Sequence, residues 1–113
     1  MRFLFLYIFF SFVYLDVFKN VQVLDIDKRS EMKKYMKEIS KDLGVKCSHC
    51  HDLDDKSFDN EEKEITRQMI ELTNYLNSTL NNVSVEHKDY KKYVSCWTCH
   101  HGNLKPEHLR PNK

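Results

Sequence analysis

Two five-residue segments, Cys47–His51 and Cys96–His100, contain all four cysteines of this 113-residue chain, and both have the spacing C-x-x-C-H. Two thiols three positions apart can each form a thioether with one vinyl group of a haem. The histidine that follows then lies beneath the ring, where its nitrogen can bind the iron. Two matches that leave no cysteine over predict two covalently bound haem c groups. The predicted cofactor-binding residues are Cys47, Cys50, His51, Cys96, Cys99 and His100, with His51 and His100 as iron ligands.

Other chemistries also use paired cysteines. Zinc ribbons separate their pairs by roughly 15 to 20 residues, whereas 45 residues lie between Cys50 and Cys96. A thioredoxin-like redox pair requires a βαβ context that this chain lacks. Two structural disulfides suit an exported protein but give no reason for a histidine after each pair. These three interpretations are kept as less favoured alternatives.

The N-terminal segment differs in composition from the rest. A single arginine precedes the run from Phe3 to Leu15, which is apolar except for Ser11. These 13 residues suit the hydrophobic region of a signal peptide and fall short of the roughly 20 that a membrane span needs. We therefore expect a signal peptide or an N-terminal anchor over residues 1–18. The diheme domain, over residues 19–113, is expected in the periplasm or otherwise exported.

The remaining domain is poor in apolar residues. About 95 residues include only 31 apolar ones, and four of these are the motif cysteines. A domain of this size usually needs staples such as metals or disulfides, so we expect the haems to supply much of the core. The 18 basic and 17 acidic residues of the whole chain are interspersed, without the basic stripe of a nucleic-acid binder. The expected partners are redox proteins, soluble or membrane-bound, acting as electron donor and acceptor.

A helix is predicted before the first motif. It runs from an N-cap at Ser30 to about Leu43, with Gly44 as its C-cap. Its apolar face has helical spacing and consists of Met32, Tyr35, Met36, Ile39 and Leu43.

A second helix is predicted between the two motifs, from about Asn60 to Leu80. Asp59 and Glu62 have the spacing of a capping box at its start. Its apolar face consists of Ile65, Met69, Leu72, Leu76 and Leu80. The only segment with strand-like alternation is Val21 to Ile26. The pattern therefore predicts an all-α fold, a small multihaem cytochrome c of two helix–turn–CxxCH units with little strand.

Each iron needs a sixth ligand or a reason to lack one. Met32 and Met36 lie on the first predicted helix and Met69 on the second. A methionine on a helical face is more often a packing residue, but here each motif is preceded by one helix that contains methionine. Iron bound by His and Met has a raised reduction potential and a closed coordination sphere, which suits electron transfer. The residues alone leave packing and ligation open.

Segments along nearly the whole domain follow a recognisable order: Asn20–Leu24, Glu31–Met36, Gly44–His51, Thr66–Met69, Asn77, and Cys96–Gly102 with Pro106. They resemble the cytochrome subunit of photosynthetic reaction centres. In that family a helix and a turn precede each C-x-x-C-H, and for the corresponding haems a methionine on that helix is the sixth ligand. The resemblance implies Met36 as the iron ligand of the first haem and Met69 as that of the second.

The sequence also departs from that family. The family subunit carries four haems, whereas this sequence has two motifs, with His101 in place of the usual Arg and Trp97 in place of the usual Tyr. In the family, a histidine in the linker before the second motif ligates another haem. Here His87 lies in that linker, and we favour a solvated side chain over a ligand. His49, His101 and His108 are expected at the surface.

These observations predict an electron carrier, not an enzyme. Its two His/Met-ligated haems would relay single electrons between redox partners, in a photosynthetic or a respiratory setting. One alternative is a peroxidase-like haem enzyme in which one iron keeps an open distal site. Another is a haem-bearing subunit of a larger electron-transfer complex.

Overall fold

The computed structural model describes residues 18–82 and 93–106 of the chain. Its elements are helix α1 (Arg29–Leu43), a 3₁₀ turn (Cys47–His49), helix α2 (Glu61–Leu80) and helix α3 (Cys96–His100). Within these ranges there is no strand, so Val21–Ile26 is not one. The order of helix, motif, helix, motif confirms the predicted all-α architecture. Most of segment 1–18 and much of the linker before the second motif lie outside the described residues.

Helix α1 ends where the sequence predicts and begins earlier. Gly44 is the C-cap with φ 65°, a left-handed conformation that glycine adopts without strain. The N-cap is Lys28, and Ser30 lies inside the first turn, so the predicted Ser30 cap is wrong. Lys28 caps with no side-chain hydrogen bond but pairs with Glu31 at 3.1 Å. This pair places an acidic side chain in the first turn, where the helix dipole favours it.

Helix α2 is capped one residue later than predicted. Asn60 is the N-cap, and its Oδ1 accepts a hydrogen bond from the Lys63 backbone N–H at 2.8 Å. The predicted capping box of Asp59 and Glu62 is therefore wrong. Asp59 instead accepts hydrogen bonds from the Arg67 guanidinium at 2.7 Å and from Asn20 at 2.8 Å. A side-chain oxygen does cap the helix at this boundary, but it is that of Asn60, because the Asp59 carboxylate is bound by the Arg67 guanidinium.

The core is as small as the composition implies. Among the described residues only Ile39 and Leu43 of α1 and Ile70 of α2 are buried apolar side chains. Partly buried residues surround them: Val23, Leu24, Tyr35, Met36, Val45 and Cys96. Every residue of the predicted α1 face is buried or half-buried, which confirms that face.

The predicted apolar face of α2 is not core. Ile65, Met69 and Leu72 keep between 43% and 49% of their surface exposed. The residues that α2 does bury are Arg67 and Ile70. The Arg67 guanidinium is satisfied by Asp59 and by Glu64, which accepts at 3.2 Å. The buried side of α2 therefore contains Arg67 and Ile70, whereas its apolar stripe borders a cavity.

Helix α3 is docked on the end of α1. The Gly102 N–H donates to the Asp42 carbonyl oxygen at 2.8 Å. A Cβ atom added at Gly44 would overlap the Gly102 carbonyl oxygen, so the two backbones approach as closely as only glycine permits. Gly102 itself has φ 83°. The exit of the second motif is therefore fixed to the C-terminus of the helix that precedes the first motif.

Candidate haem sites

The first motif begins with the 3₁₀ turn Cys47–His49. Cys47 is exposed, whereas Cys50 is half-buried with its Sγ 3.7 Å from the Thr66 Oγ1 of α2. The turn is connected to α1 through Val45, whose N–H donates to the Ser40 carbonyl oxygen at 3.0 Å. The Ser40 hydroxyl donates in return to the Val45 carbonyl oxygen. These two hydrogen bonds fix the backbone at Val45, two residues before the first cysteine.

The second motif is a short helix, and its cap is built from its own residues. The Thr98 hydroxyl accepts from the Ser95 N–H at 3.0 Å, and the Ser95 carbonyl oxygen accepts from the Thr98 N–H at 3.1 Å. Cys96 is half-buried and Cys99 is exposed. Burial, followed by the nearby Asp42 carboxylate, raises the pKa of the Cys96 thiol.

A side-chain clamp on α2 holds the backbone in front of the second motif. The Asn77 Oδ1 accepts from the Val94 N–H at 2.6 Å, and the Asn77 Nδ2 donates to the Val94 carbonyl oxygen at 2.8 Å. Val94 stands two residues before Cys96, as Val45 stands two residues before Cys47. Each motif is thus anchored at the same position to the preceding helix, by Ser40 in one case and Asn77 in the other.

Both predicted iron-binding histidines are oriented by a backbone carbonyl. The His51 Nδ1 lies 3.1 Å from the Lys56 carbonyl oxygen, and the His100 Nδ1 lies 2.9 Å from the Asn103 carbonyl oxygen. A carbonyl oxygen only accepts, so we assign the proton of each neutral imidazole to Nδ1. The Nε2 lone pair is then available for a metal. Sequence reasoning missed both acceptors, since a backbone carbonyl carries no residue-type signal.

A cavity of about 460 Å³ brings the predicted residues of the second site together. Cys96, Cys99 and His100 line this cavity, and Met69 of α2 lines it as well. The lining also includes most of the apolar stripe of α2, namely Ile65, Leu72 and Leu76, together with Leu43, Val94 and Leu104. The exposed stripe of α2 is therefore the apolar side of this cavity.

The predicted residues of the first site are arranged differently. Met36 is half-buried and packs against the cluster of Ile39, Leu43 and Ile70. Within the described part of the chain, the lining of the 460 Å³ cavity includes neither Met36 nor Cys47, Cys50 and His51. Met32, one turn earlier on α1, is also half-buried. The structure thus groups Met69 with its motif and leaves Met36 among packing residues.

Comparison with protein families decides what kind of protein this arrangement belongs to. The matching family model is that of the photosynthetic reaction centre cytochrome C subunit, over residues 13–112. The chain belongs to this family. The comparison with curated proteins and the comparison with solved structures each gave no match. The resemblance seen in the sequence is therefore confirmed over nearly its whole length.

Membership in the reaction centre cytochrome family identifies the chain as a haem-bearing electron-transfer subunit. The family is not one of enzymes, and its members act with redox partners in a larger electron-transfer complex. They are exported and associated with membranes. Within residues 18–82 and 93–106, none of the helices has the length and apolar content needed to cross a bilayer.

The donor atoms of this cytochrome fit covalently bound haem. All four cysteines are free thiols, in two pairs, and each pair is followed by an imidazole whose Nε2 is left for a metal. The apolar wall beside Cys96 and Cys99 provides the contact surface that a macrocycle needs. No disulfide joins the four cysteines. In the described ranges no group of three or more His, Cys, Asp or Glu side chains converges as a zinc site would require.

The remaining histidines have separate positions. His49 is half-buried and lines the cavity, although the sequence analysis expected it at the surface. His101 is exposed, as expected, and its ring meets the Trp97 ring edge-on with centroids 5.8 Å apart. It has φ 49° and caps α3. His87 and His108 lie outside the described residues.

Proposed function

We propose that this cytochrome is an exported diheme protein that relays single electrons between two redox partners through two His/Met-ligated haems. The observation that carries the proposal is the cavity whose wall contains Met69 together with Cys96, Cys99 and His100. These are the two thiols, the proximal nitrogen and the distal sulfur that one low-spin haem c requires.

At the second site, Cys96 and Cys99 provide the two thioether sulfurs, and His100 provides the proximal ligand. The Asn103 carbonyl, 2.9 Å from the His100 Nδ1, holds the ring in the tautomer that presents Nε2. Met69 is the proposed distal ligand. The α2 stripe would give a haem bound here an apolar surface to pack against, and a low-polarity surrounding of this kind favours the ferrous state of iron.

At the first site, Cys47, Cys50 and His51 have the same roles, with Met36 as the proposed distal ligand. The Lys56 carbonyl orients His51 in the same way as Asn103 orients His100. Met36 is half-buried on α1 beside the core cluster. A thioether sulfur in an apolar surrounding is a suitable ligand for ferrous iron.

Bound haem iron supplies reversible one-electron chemistry. The protein residues provide position: α1 is fixed to the exit of the second motif through Gly44 and Gly102, and both motifs are anchored on helices. One electron enters from a donor protein and one leaves to an acceptor. Two haems held in one small domain allow that transfer in short steps. We also propose that segment 1–18 directs export or anchors the protein.

Spectroscopy of the protein expressed with a haem-attachment system tests the proposal. A methionine-to-iron charge-transfer band for both haems in the oxidised protein, with low-spin ferric signals, is the expected result. A high-spin, five-coordinate haem would contradict the relay function and favour a peroxidase-like enzyme with one open site. Turnover of peroxide at that haem would then identify the alternative function.

A further inference from the structure

The carbonyl oxygens that orient the two histidines have different surroundings. The Lys56 oxygen accepts from the His51 Nδ1 and also from the Lys63 ammonium, at 3.0 Å. The Asn103 oxygen accepts from the His100 Nδ1. Over residues 18–82 and 93–106, no lysine or arginine donates to the Asn103 oxygen. Of two histidines with the same assigned role, only His51 therefore shares its acceptor with an ammonium group.

Lys63 is held firmly in this position. Lys63 lies in the first turn of α2, and its side chain is only 13% exposed. Its ammonium also donates to the Phe58 carbonyl oxygen at 3.0 Å, so it bridges two carbonyls of the loop that follows the first motif. A lysine side chain gives up considerable rotamer freedom when it is ordered in this way. The two charge-assisted hydrogen bonds offset that cost.

The Lys63 ammonium has only a long contact with its nearest carboxylate, that of Asp59. Asp59 lies 3.4 Å from the Lys63 ammonium, but its Oδ1 is only 2.7 Å from the Arg67 guanidinium and 2.8 Å from the Asn20 amide. Arg67 and Asn20 thus hold the stronger contacts of that carboxylate. The closest contacts of the Lys63 ammonium are the two loop carbonyl oxygens.

An oxygen that already accepts from a cation is a weaker acceptor for its second hydrogen bond. A weaker acceptor draws the Nδ1 proton of His51 less strongly, and the imidazole remains a less electron-rich ligand. Ferric iron, the more highly charged state, is stabilised less by such a ligand. The ammonium charge acts in the same direction, because a nearby cation also disfavours the more positive iron.

We propose that Lys63 is a positioning residue that raises the reduction potential of the first haem, through the Lys56 carbonyl that orients His51. The inference rests on the proposed function, since it requires a haem bound by Cys47, Cys50 and His51. It assigns to α2, the helix proposed to carry the distal ligand of the second haem, a part in setting the potential of the first.

A redox titration of the two-haem protein followed by NMR tests this inference. The haem methyl signals of each site are followed separately in wild type, Lys63→Met and Lys63→Arg. In Lys63→Met the ratio of reduced to oxidised first haem at a fixed ambient potential should fall about tenfold, which is ~59 mV for a one-electron couple. The second haem should keep its potential. Lys63→Arg retains the charge and a donor and should recover most of the loss.

A second measurement separates electronic tuning from a structural effect. In the reduced protein the Nδ1 proton signal of His51 should move downfield in Lys63→Met, because the Lys56 oxygen becomes a stronger acceptor. The corresponding His100 signal should stay in place. Lys34→Met, which removes an exposed lysine of α1, is the control for net charge and should leave both signals and both potentials unchanged.

Failure of the inference and failure of the proposed function differ in outcome. A protein with two attached haems whose first potential is the same in Lys63→Met as in wild type overturns the inference alone. Equal shifts of both haems in Lys63→Met also overturn it, because they indicate a general charge effect. Wild-type protein with no haem at the first motif overturns the proposed function and the inference with it.

Discussion

The two haem motifs share a spacing and differ in what supports them. The first motif begins with a 3₁₀ turn after a glycine-capped helix. Polar side chains hold the loop that follows it: the Lys63 ammonium donates to two carbonyl oxygens, and the Asp59 carboxylate pairs with Arg67. The second is a capped helix docked on α1 beside an apolar cavity. The comparison teaches that one C-x-x-C-H spacing can stand in two different surroundings, and we propose that these surroundings set stability and reduction potential separately at each motif.

The largest effect should come from preventing haem attachment at all four cysteines, Cys47, Cys50, Cys96 and Cys99, by replacement with alanine. With only three buried apolar residues in the described part, the chain cannot offset an ordering cost of about 1 to 2 kcal/mol per residue. We expect loss of cooperative unfolding, measured by circular dichroism and calorimetry.

The matched pairwise variants compare the two motifs directly. Replacing Cys96 and Cys99 should cost more stability than replacing Cys47 and Cys50, since the α2 stripe borders the cavity of the second motif. Equal losses would remove the proposed difference between the sites. A chain without haem that still unfolds sharply would show that the polypeptide has an independent core.

Gly44→Ala should weaken the docking between the two units. The new Cβ meets the Gly102 carbonyl oxygen, and the residue has φ 65°. Strain and overlap together should lower the free energy of unfolding by about 2 to 4 kcal/mol. The matched control is Gly102→Ala, whose Cβ would make an ordinary 3.4 Å contact with the Trp97 ring. There only the backbone strain of about 1 to 2 kcal/mol is expected. Denaturant titration measures both, and equal losses would mean that the close approach of the backbones is not important.

The distal ligands should separate the two sites spectroscopically. Met69→His should lower the potential of the second haem, on the order of 0.1 V within the ~0.8 V range that axial ligands span. The potential falls because imidazole replaces a thioether that favours ferrous iron, and the haem should stay low-spin because both axial positions remain occupied. Met36→His should act likewise on the first haem. Met32→Leu is the packing control and should leave both spectra intact. An unchanged titration in Met69→His would refute the assignment of Met69.

Acid should affect the first unit through Asp59. Hydrogen bonds from Arg67 and then from Asn20 hold the pKa of the Asp59 carboxyl at about 2, below the ordinary 3.8. A depressed folded-state pKa contributes stability that is present above the unfolded-state value and is lost as the pH falls toward the folded-state value. Stability should thus decline between about pH 4 and pH 2. Asp59→Asn should lower stability at neutral pH and flatten that decline, as measured by denaturant titrations over this range. A decline as steep as that of wild type would show that Asp59 is not the responsible group.

Sequence reasoning located the parts of this molecule that depend on side-chain pattern. The motifs, the α1 face and the Gly44 cap follow from spacing and residue type, and the structure agrees with each. The supports for the histidines did not follow, because the Lys56 and Asn103 acceptors are backbone atoms. The position of the α2 stripe did not follow either, since helical period shows that a face is apolar and not whether a core or a cavity covers it. The cap at Asn60 was missed because Asp59, an equally suitable residue, is engaged by Arg67.

The central claim is that each motif binds one haem covalently, and intact mass spectrometry after acid-acetone extraction tests it most directly. Thioether bonds survive that extraction, whereas non-covalently held haem is removed. The account predicts a mass equal to the polypeptide plus two haems, with two iron atoms per chain in a metal assay. A chain of unmodified mass, or one that contains zinc and no iron, would contradict it.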